Sequence, residues 1–134
     1  MTFAARLAFE DVDHFYGDQQ TLRGVSLAAE PGEVLCLLGP SGSGKTTFVS
    51  VLLRQQDVHE GSISIDGQDI RKVTLESLNR SIATVPQEPL LFHRSIRENI
   101  VFGRPDADDA EILEAARRAE ALDFISSLSD QRGR

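Results

Sequence analysis

Gly39-Pro40-Ser41-Gly42-Ser43-Gly44-Lys45-Thr46 sets three glycines, a lysine and a hydroxyl at the intervals of the pattern G-x-x-x-x-G-K-[ST]. Glycines let the backbone make turns that a Cβ would obstruct. Successive N–H groups can then point into one concave anion nest, and a following helix adds its positive end. Lys45 is placed to reach the β- and γ-phosphates of a nucleotide, Thr46 to hold Mg²⁺ and Thr47 to touch the α-phosphate. The site read from the motif is therefore Gly39, Ser41, Gly42, Ser43, Gly44, Lys45, Thr46 and Thr47, with a nucleotide and Mg²⁺ as ligands; the loop alone does not say which nucleotide, because GTPases, kinases and transport ATPases all use it. At average residue usage the pattern arises by accident on the order of once in a few hundred chains of this length. A glycine-rich surface turn is thus the weaker reading.

The flanks supply the setting that the loop needs. Glu33–Leu38 is a short, almost continuous apolar run, which predicts a strand buried on both faces of a parallel sheet. Cys36 within it reads as an inert core residue. After the loop, Phe48, Val51 and Leu52 fall at helical spacing, predicting a helix from Gly44 to Arg54. Upstream, Arg6–Tyr16 and Val25–Glu30 read as strands of a half-exposed sheet, closed by the turn signal Pro31-Gly32. Downstream, Gly61–Asp66 reads as a strand with Ile63 and Ile65 on one face, and Asp66-Gly67 as a hairpin turn. Thr74–Arg80 reads as a short helix, Ser81–Val85 as a strand and Pro86–Phe92 as a loop. From Asp108 the chain is helical, with a stripe of Ile112, Ala115, Ala116 and Ala119. Asp106, Asp108, Asp109 and Glu111 crowd the start of that helix, where its dipole favours negative charge. A solvated helix start explains them better than a calcium loop, whose spacing and glycine they lack. The fold class is α/β.

The chain has 134 residues and a formal net charge of −7, which argues against general binding to nucleic-acid backbones. No apolar run approaches the roughly 18–20 residues that span a bilayer, so direct membrane insertion is not expected. Nor is there a secretory leader pattern. A single cysteine excludes an internal disulfide, and His14, His59 and His93 show no metal-ligand spacing; they read as surface or packing residues.

Beyond the loop, from about Leu7 to Leu128, the chain resembles the ATP-binding domain of ABC transporters. Phe15-Tyr16-Gly17 followed by Thr21–Leu27 looks like the segment in which an aromatic stacks on adenine, and Tyr16 takes that position, with Phe15 a minor rival. Gly61–Ile70 and Leu75–Leu78 look like the antiparallel β-subdomain. Val85–Phe92 is similar to the Q-loop, which implies that Gln87 approaches Mg²⁺ and the attacking water and links the site to the membrane partner. Ser95–Ile100 with Phe102-Gly103 is similar to a segment of the exporter branch that leads into the helical subdomain. The resemblance implies a P-loop core and β-subdomain over about residues 1–100 and the start of the helical subdomain over about 101–134. It also implies a transmembrane domain and a second ATP-binding domain as partners, at the cytoplasmic face of a membrane.

Three elements that the family uses for hydrolysis are not found: an LSGGQ-type signature, an aliphatic strand ending in Asp-Glu, and a switch histidine. Ser127–Arg134 also departs from the family's continuation, so the sequence reads as an N-terminal part of the domain, cut or frame-shifted inside the helical subdomain. Two expectations follow. The chain alone has little or no ATPase activity, because the water-polarising carboxylate is missing; Mg-dependent turnover abolished by Lys45→Ala would overturn this. The apolar sheet edge it leaves uncovered also makes the fold marginal. A non-enzymatic nucleotide-binding module acting on an intact transporter is the alternative. Another P-loop enzyme, such as a kinase, leaves Gln87 and Ser95–Gly103 unexplained.

Overall fold

A computed structural model describes residues 5–131, which divide into two compact units between Ala83 and Thr84. The first unit is built on a four-stranded antiparallel sheet. Its strands are β1 (Leu7–Tyr16), β2 (Gln19–Ala29), β3 (Glu60–Ile65) and β4 (Gln68–Asp69), in the order β2-β1-β3-β4. Helix α1 (Lys45–Leu52) and helix α2 (Leu75–Ser81) complete it, with a 3₁₀ turn at Ile70–Lys72.

Local chemistry accounts for the sheet. Asp66 and Gly67 both take positive φ, 48° and 77°, which a two-residue primed hairpin turn requires. Ile65 accordingly pairs with Gln68. Gly17 opens the β1–β2 turn at φ 56°, and Tyr16 pairs with Gln19. Gly61 sits where β1 bulges around Asp11; a Cβ there would lie 2.2 Å from the Glu10 carbonyl oxygen, so only glycine fits. The inward faces of the strands give Phe9, Val12, Leu22 and Ile63 to a core that α1 closes with Phe48 and Val51. Phe48 stacks on Phe9, ring centroids 4.2 Å apart and planes within 11°. Ile70 and Leu78 fill the β4 side.

The predicted elements around this core hold, with three corrections. Glu33–Leu38 is not a buried strand. Val34 and Leu38 are 86% and 93% exposed, and the segment has no strand partner among the described residues. Apolar composition states what a segment would bury; it does not supply the neighbour. Cys36 is exposed for the same reason. Ser81–Val85 likewise forms no strand: Ser81 ends α2 and Val85 is exposed.

The second unit is helical: α3 (Ile96–Ile100), α4 (Asp109–Arg118) and α5 (Leu122–Gln131). Ser95 and Asp108 cap α3 and α4 with complete capping boxes, through Glu98 and Glu111. The acidic cluster at the head of α4 is thereby engaged. Asp108 accepts from the Glu111 N–H at 2.8 Å, and Asp109 pairs with Arg97 at 2.7 Å. Asn99 fastens the loop ahead of α3, taking the Phe92 N–H at 2.8 Å and donating to the carbonyls of Phe92 and Ser95. Leu91, Phe92, Ile96, Ile100, Ala116 and Phe124 are among the residues lining an apolar groove of about 690 Å³. No described helix is long and apolar enough to cross a membrane.

Candidate functional site

The glycine-rich loop enters α1 through Gly44 at φ 95°, a conformation that disfavours any side chain. Space adds a second constraint. A Cβ on Gly44 would lie 2.9 Å from the Thr21 carbonyl oxygen on β2 and 3.3 Å from Leu22. A Cβ on Gly39 would meet the Ser43 hydroxyl at 2.5 Å, and Gly42 also has positive φ, 81°. The motif glycines thus answer two demands, left-handed backbone at Gly42 and Gly44 and close approach at Gly39 and Gly44.

Thr21, Ser41, Gly42, Gly44, Lys45, Thr46 and Thr47 line a cavity of about 530 Å³ at the start of α1. Gly44 offers α1 no side-chain cap, so the first-turn N–H groups face this end without the partner that a cap would supply. The Lys45 ammonium bonds to the carbonyls of Gly39 and Pro40, the latter at 2.9 Å, and to the Ser43 hydroxyl at 3.2 Å. Thr46 is exposed, whereas Thr47 is buried at the cavity wall. An ammonium, a hydroxyl and uncapped helix N–H groups therefore converge on one concavity. That donor set fits a polyphosphate, with the Thr46 hydroxyl as an oxygen ligand for a hard divalent cation.

The other predicted site residues are not among those lining this cavity. Tyr16 ends β1 with 46% of its surface exposed and is not among the residues lining it. It stands on the same hairpin as Thr21, which is. Phe15 is instead engaged, its ring 5.6 Å from that of His59 in an edge-on contact. Gln87 belongs to the second unit, as an exposed loop residue.

Two residues matter here that the motifs do not mark. Thr21 contributes to the cavity wall. His14 packs edge-on against Tyr16, centroids 4.7 Å apart. The sequence signal for the second was its spacing, because residues two apart on a strand share a face.

Comparison with known proteins places this geometry. A family profile described as ABC transporter matches residues 22–133. The chain belongs to the ABC transporter family. Among curated relatives of this ABC protein, it is 46% identical over 129 residues to an uncharacterized ABC transporter ATP-binding protein of Haemophilus influenzae, covering 96% of this chain and 21% of the relative. It is 50% identical over 121 residues to a beta-(1→2)glucan export ATP-binding/permease protein of Nitrobacter winogradskyi, covering 90% of this chain and 20% of that one. An ATP-dependent lipid A-core flippase of Desulfotalea psychrophila is 44% identical over 126 residues, with coverages of 94% and 22%. The solved structure of a bacterial Atm1-family ABC exporter with ATP bound superposes with a TM-score of 0.79 at 38% identity, covering 94% of this chain and 22% of that one. The fold is that of an ABC ATP-binding domain of the exporter branch. The chain spans about a fifth of the length of the relatives it matches.

Proposed function

We propose that this chain binds Mg-ATP through its P-loop and forms the P-loop face of the nucleotide site in an ABC exporter. The observation that carries the reading is that Lys45, Thr46 and the uncapped start of α1 line one cavity, the helix being entered through Gly44, where both backbone angle and space disfavour a side chain. In this reading the Lys45 ammonium exchanges its loop carbonyls for the β- and γ-phosphates. The N–H groups of α1 take further phosphate oxygens, and Thr47 lies at the α-phosphate. The Thr46 hydroxyl would hold Mg²⁺, which would supply charge neutralisation. The Tyr16 ring stacks on adenine. Its exposure, against the engagement of Phe15 with His59, supports that choice.

The exporter relatives support a wider role: coupling ATP binding and hydrolysis to export, with a transmembrane domain and a second ATP-binding domain, at the cytoplasmic face of a membrane. The second domain would complete the site from the opposite side.

Titration with a fluorescent ATP analogue and Mg²⁺ tests the core of the reading. Saturable binding that Lys45→Ala and Tyr16→Ala each weaken is the expected result. Base–aromatic stacking puts the tyrosine effect at about ten- to a hundredfold. Binding indifferent to Lys45 would end the proposal.

A further inference from the structure

His14 lies in β1 two residues before Tyr16 and is 1% exposed. Its Nδ1 is 2.7 Å from the Asp57 carbonyl oxygen. A carbonyl only accepts, so Nδ1 carries the proton. Nε2 is left buried and without a hydrogen-bond partner among the described residues. Such an unpaired polar atom is costly, and an aliphatic or phenyl side chain would fill the space without it. Packing alone does not account for an imidazole here.

What the ring does is meet Tyr16. The two planes stand at 84°, the edge-to-face arrangement that aromatic pairs favour. The residue is held from elsewhere as well, at both ring and backbone. Asp57 anchors Nδ1 from the segment ahead of β3, and the Thr21 hydroxyl donates to the His14 carbonyl at 3.2 Å. His59 packs against its ring with centroids 5.0 Å apart. A fixed ring therefore backs a half-exposed one.

We propose that His14 is a positioning residue for nucleotide recognition, setting the plane of the Tyr16 ring so that a purine base can stack on its exposed surface. The inference rests on the adenine-stacking role of Tyr16 proposed above. It predicts that His14 acts on the base half of the ligand and not on the phosphate half.

The test compares Mg-ATP with Mg-tripolyphosphate, which has no base, by calorimetric titration of the whole chain. The variants are His14→Leu, His14→Gln, His14→Phe, Tyr16→Ala and the double variant H14L/Y16A. Leucine removes the ring and the Asp57 bond. Glutamine removes the ring but keeps a donor, and decides the matter should the leucine variant fail to fold. Phenylalanine restores an aromatic ring. Loss of an edge-to-face contact should weaken ATP binding about two- to tenfold in the leucine and glutamine variants. Tripolyphosphate binding should stay within about twofold, phenylalanine should rescue, and the leucine effect should vanish in the Tyr16→Ala background. Tyr16 is the one tyrosine of a chain with no tryptophan. The near-ultraviolet tyrosine dichroism should therefore change in the ring-free variants before any ligand is added.

If Tyr16→Ala loses ATP affinity while the ring-free variants keep both affinity and dichroism, His14 does not position the ring. Equal weakening toward both ligands, or a loss that persists in the double variant, would reduce it to a structural role. ATP binding unchanged in Tyr16→Ala would overturn the stacking reading itself, and this inference with it.

Discussion

Helices α1 and α4 face the same physical problem and meet it in opposite ways. Each begins with backbone N–H groups that have no partner within the helix. Helix α4 satisfies its own: Asp108 accepts from the Glu111 N–H, and Glu111 reaches back to the Asp108 N–H at 3.1 Å. Helix α1 begins at Gly44, which has no side chain to offer. The cap at α4 turns part of that need inward, onto the helix's own side chains. Its absence at α1, beside a lysine and two threonines, leaves the same groups available to an anion.

The contrast can be broken most forcefully at Gly44. Gly44→Ala adds strain at φ 95° to a Cβ contact of 2.9 Å with Thr21, and should cost about 3 kcal/mol. Urea unfolding followed by circular dichroism checks this; an unchanged midpoint would mean that the loop can re-form without glycine. Next is Lys45→Ala, expected to weaken Mg-ATP by about 2 kcal/mol, the scale of a charge-assisted hydrogen bond. Its unfolding midpoint should move far less, because the lysine bonds only to loop oxygens within a few residues of itself. On the other side, Asp108→Ala should cost about 1 kcal/mol, the usual value of an N-cap. It should leave nucleotide binding untouched, and a change there would couple two features that the comparison treats as independent.

The smallest effect concerns acid. The Glu114 carboxylate, on α4, is held down from 4.5 to about 2 by hydrogen bonds, first from Arg117 and then from Arg118. A depressed carboxylate stabilises the folded state above its ordinary range, and that contribution is lost as pH falls through the folded value. Acid should therefore loosen α4 between about pH 4.5 and 2. The pair is solvent-exposed, so the change should be small. Glu114→Gln should remove this component of an NMR pH titration of the α4 amides. A wild-type titration midpoint near 4.5 would dissolve the ion-pair account.

The features legible in the sequence were those whose cause is local. The Asp66-Gly67 turn, the alternation of Val25, Leu27 and Ala29, and the helix starting after Thr74 each depend on residues a few positions apart. The glycine-rich loop entering α1 is likewise a local feature: its glycines, lysine and threonines are contiguous. What failed was distant. Glu33–Leu38 and Ser81–Val85 have strand-like composition, but a strand exists only with a neighbour, which composition does not name. The proposed base side of the site is only partly written in local sequence. Tyr16 was marked by resemblance, whereas its support by His14 and Asp57 joins residues 43 positions apart. The choice between Phe15 and Tyr16 likewise drew on His59, which the linear pattern leaves unconnected.

Thr21 carries a consequence of its own. Its carbonyl abuts Gly44 at the entrance to α1, and its hydroxyl is bonded to the His14 carbonyl, one residue from Phe15 and two from Tyr16. One amino acid thus touches both the cradle and the strand that presents the ring. In the proposed reading their separation is a gauge set by the length of a single residue. Ligands that keep both ends of a nucleotide but lengthen or shorten the link between them should satisfy one end at the expense of the other.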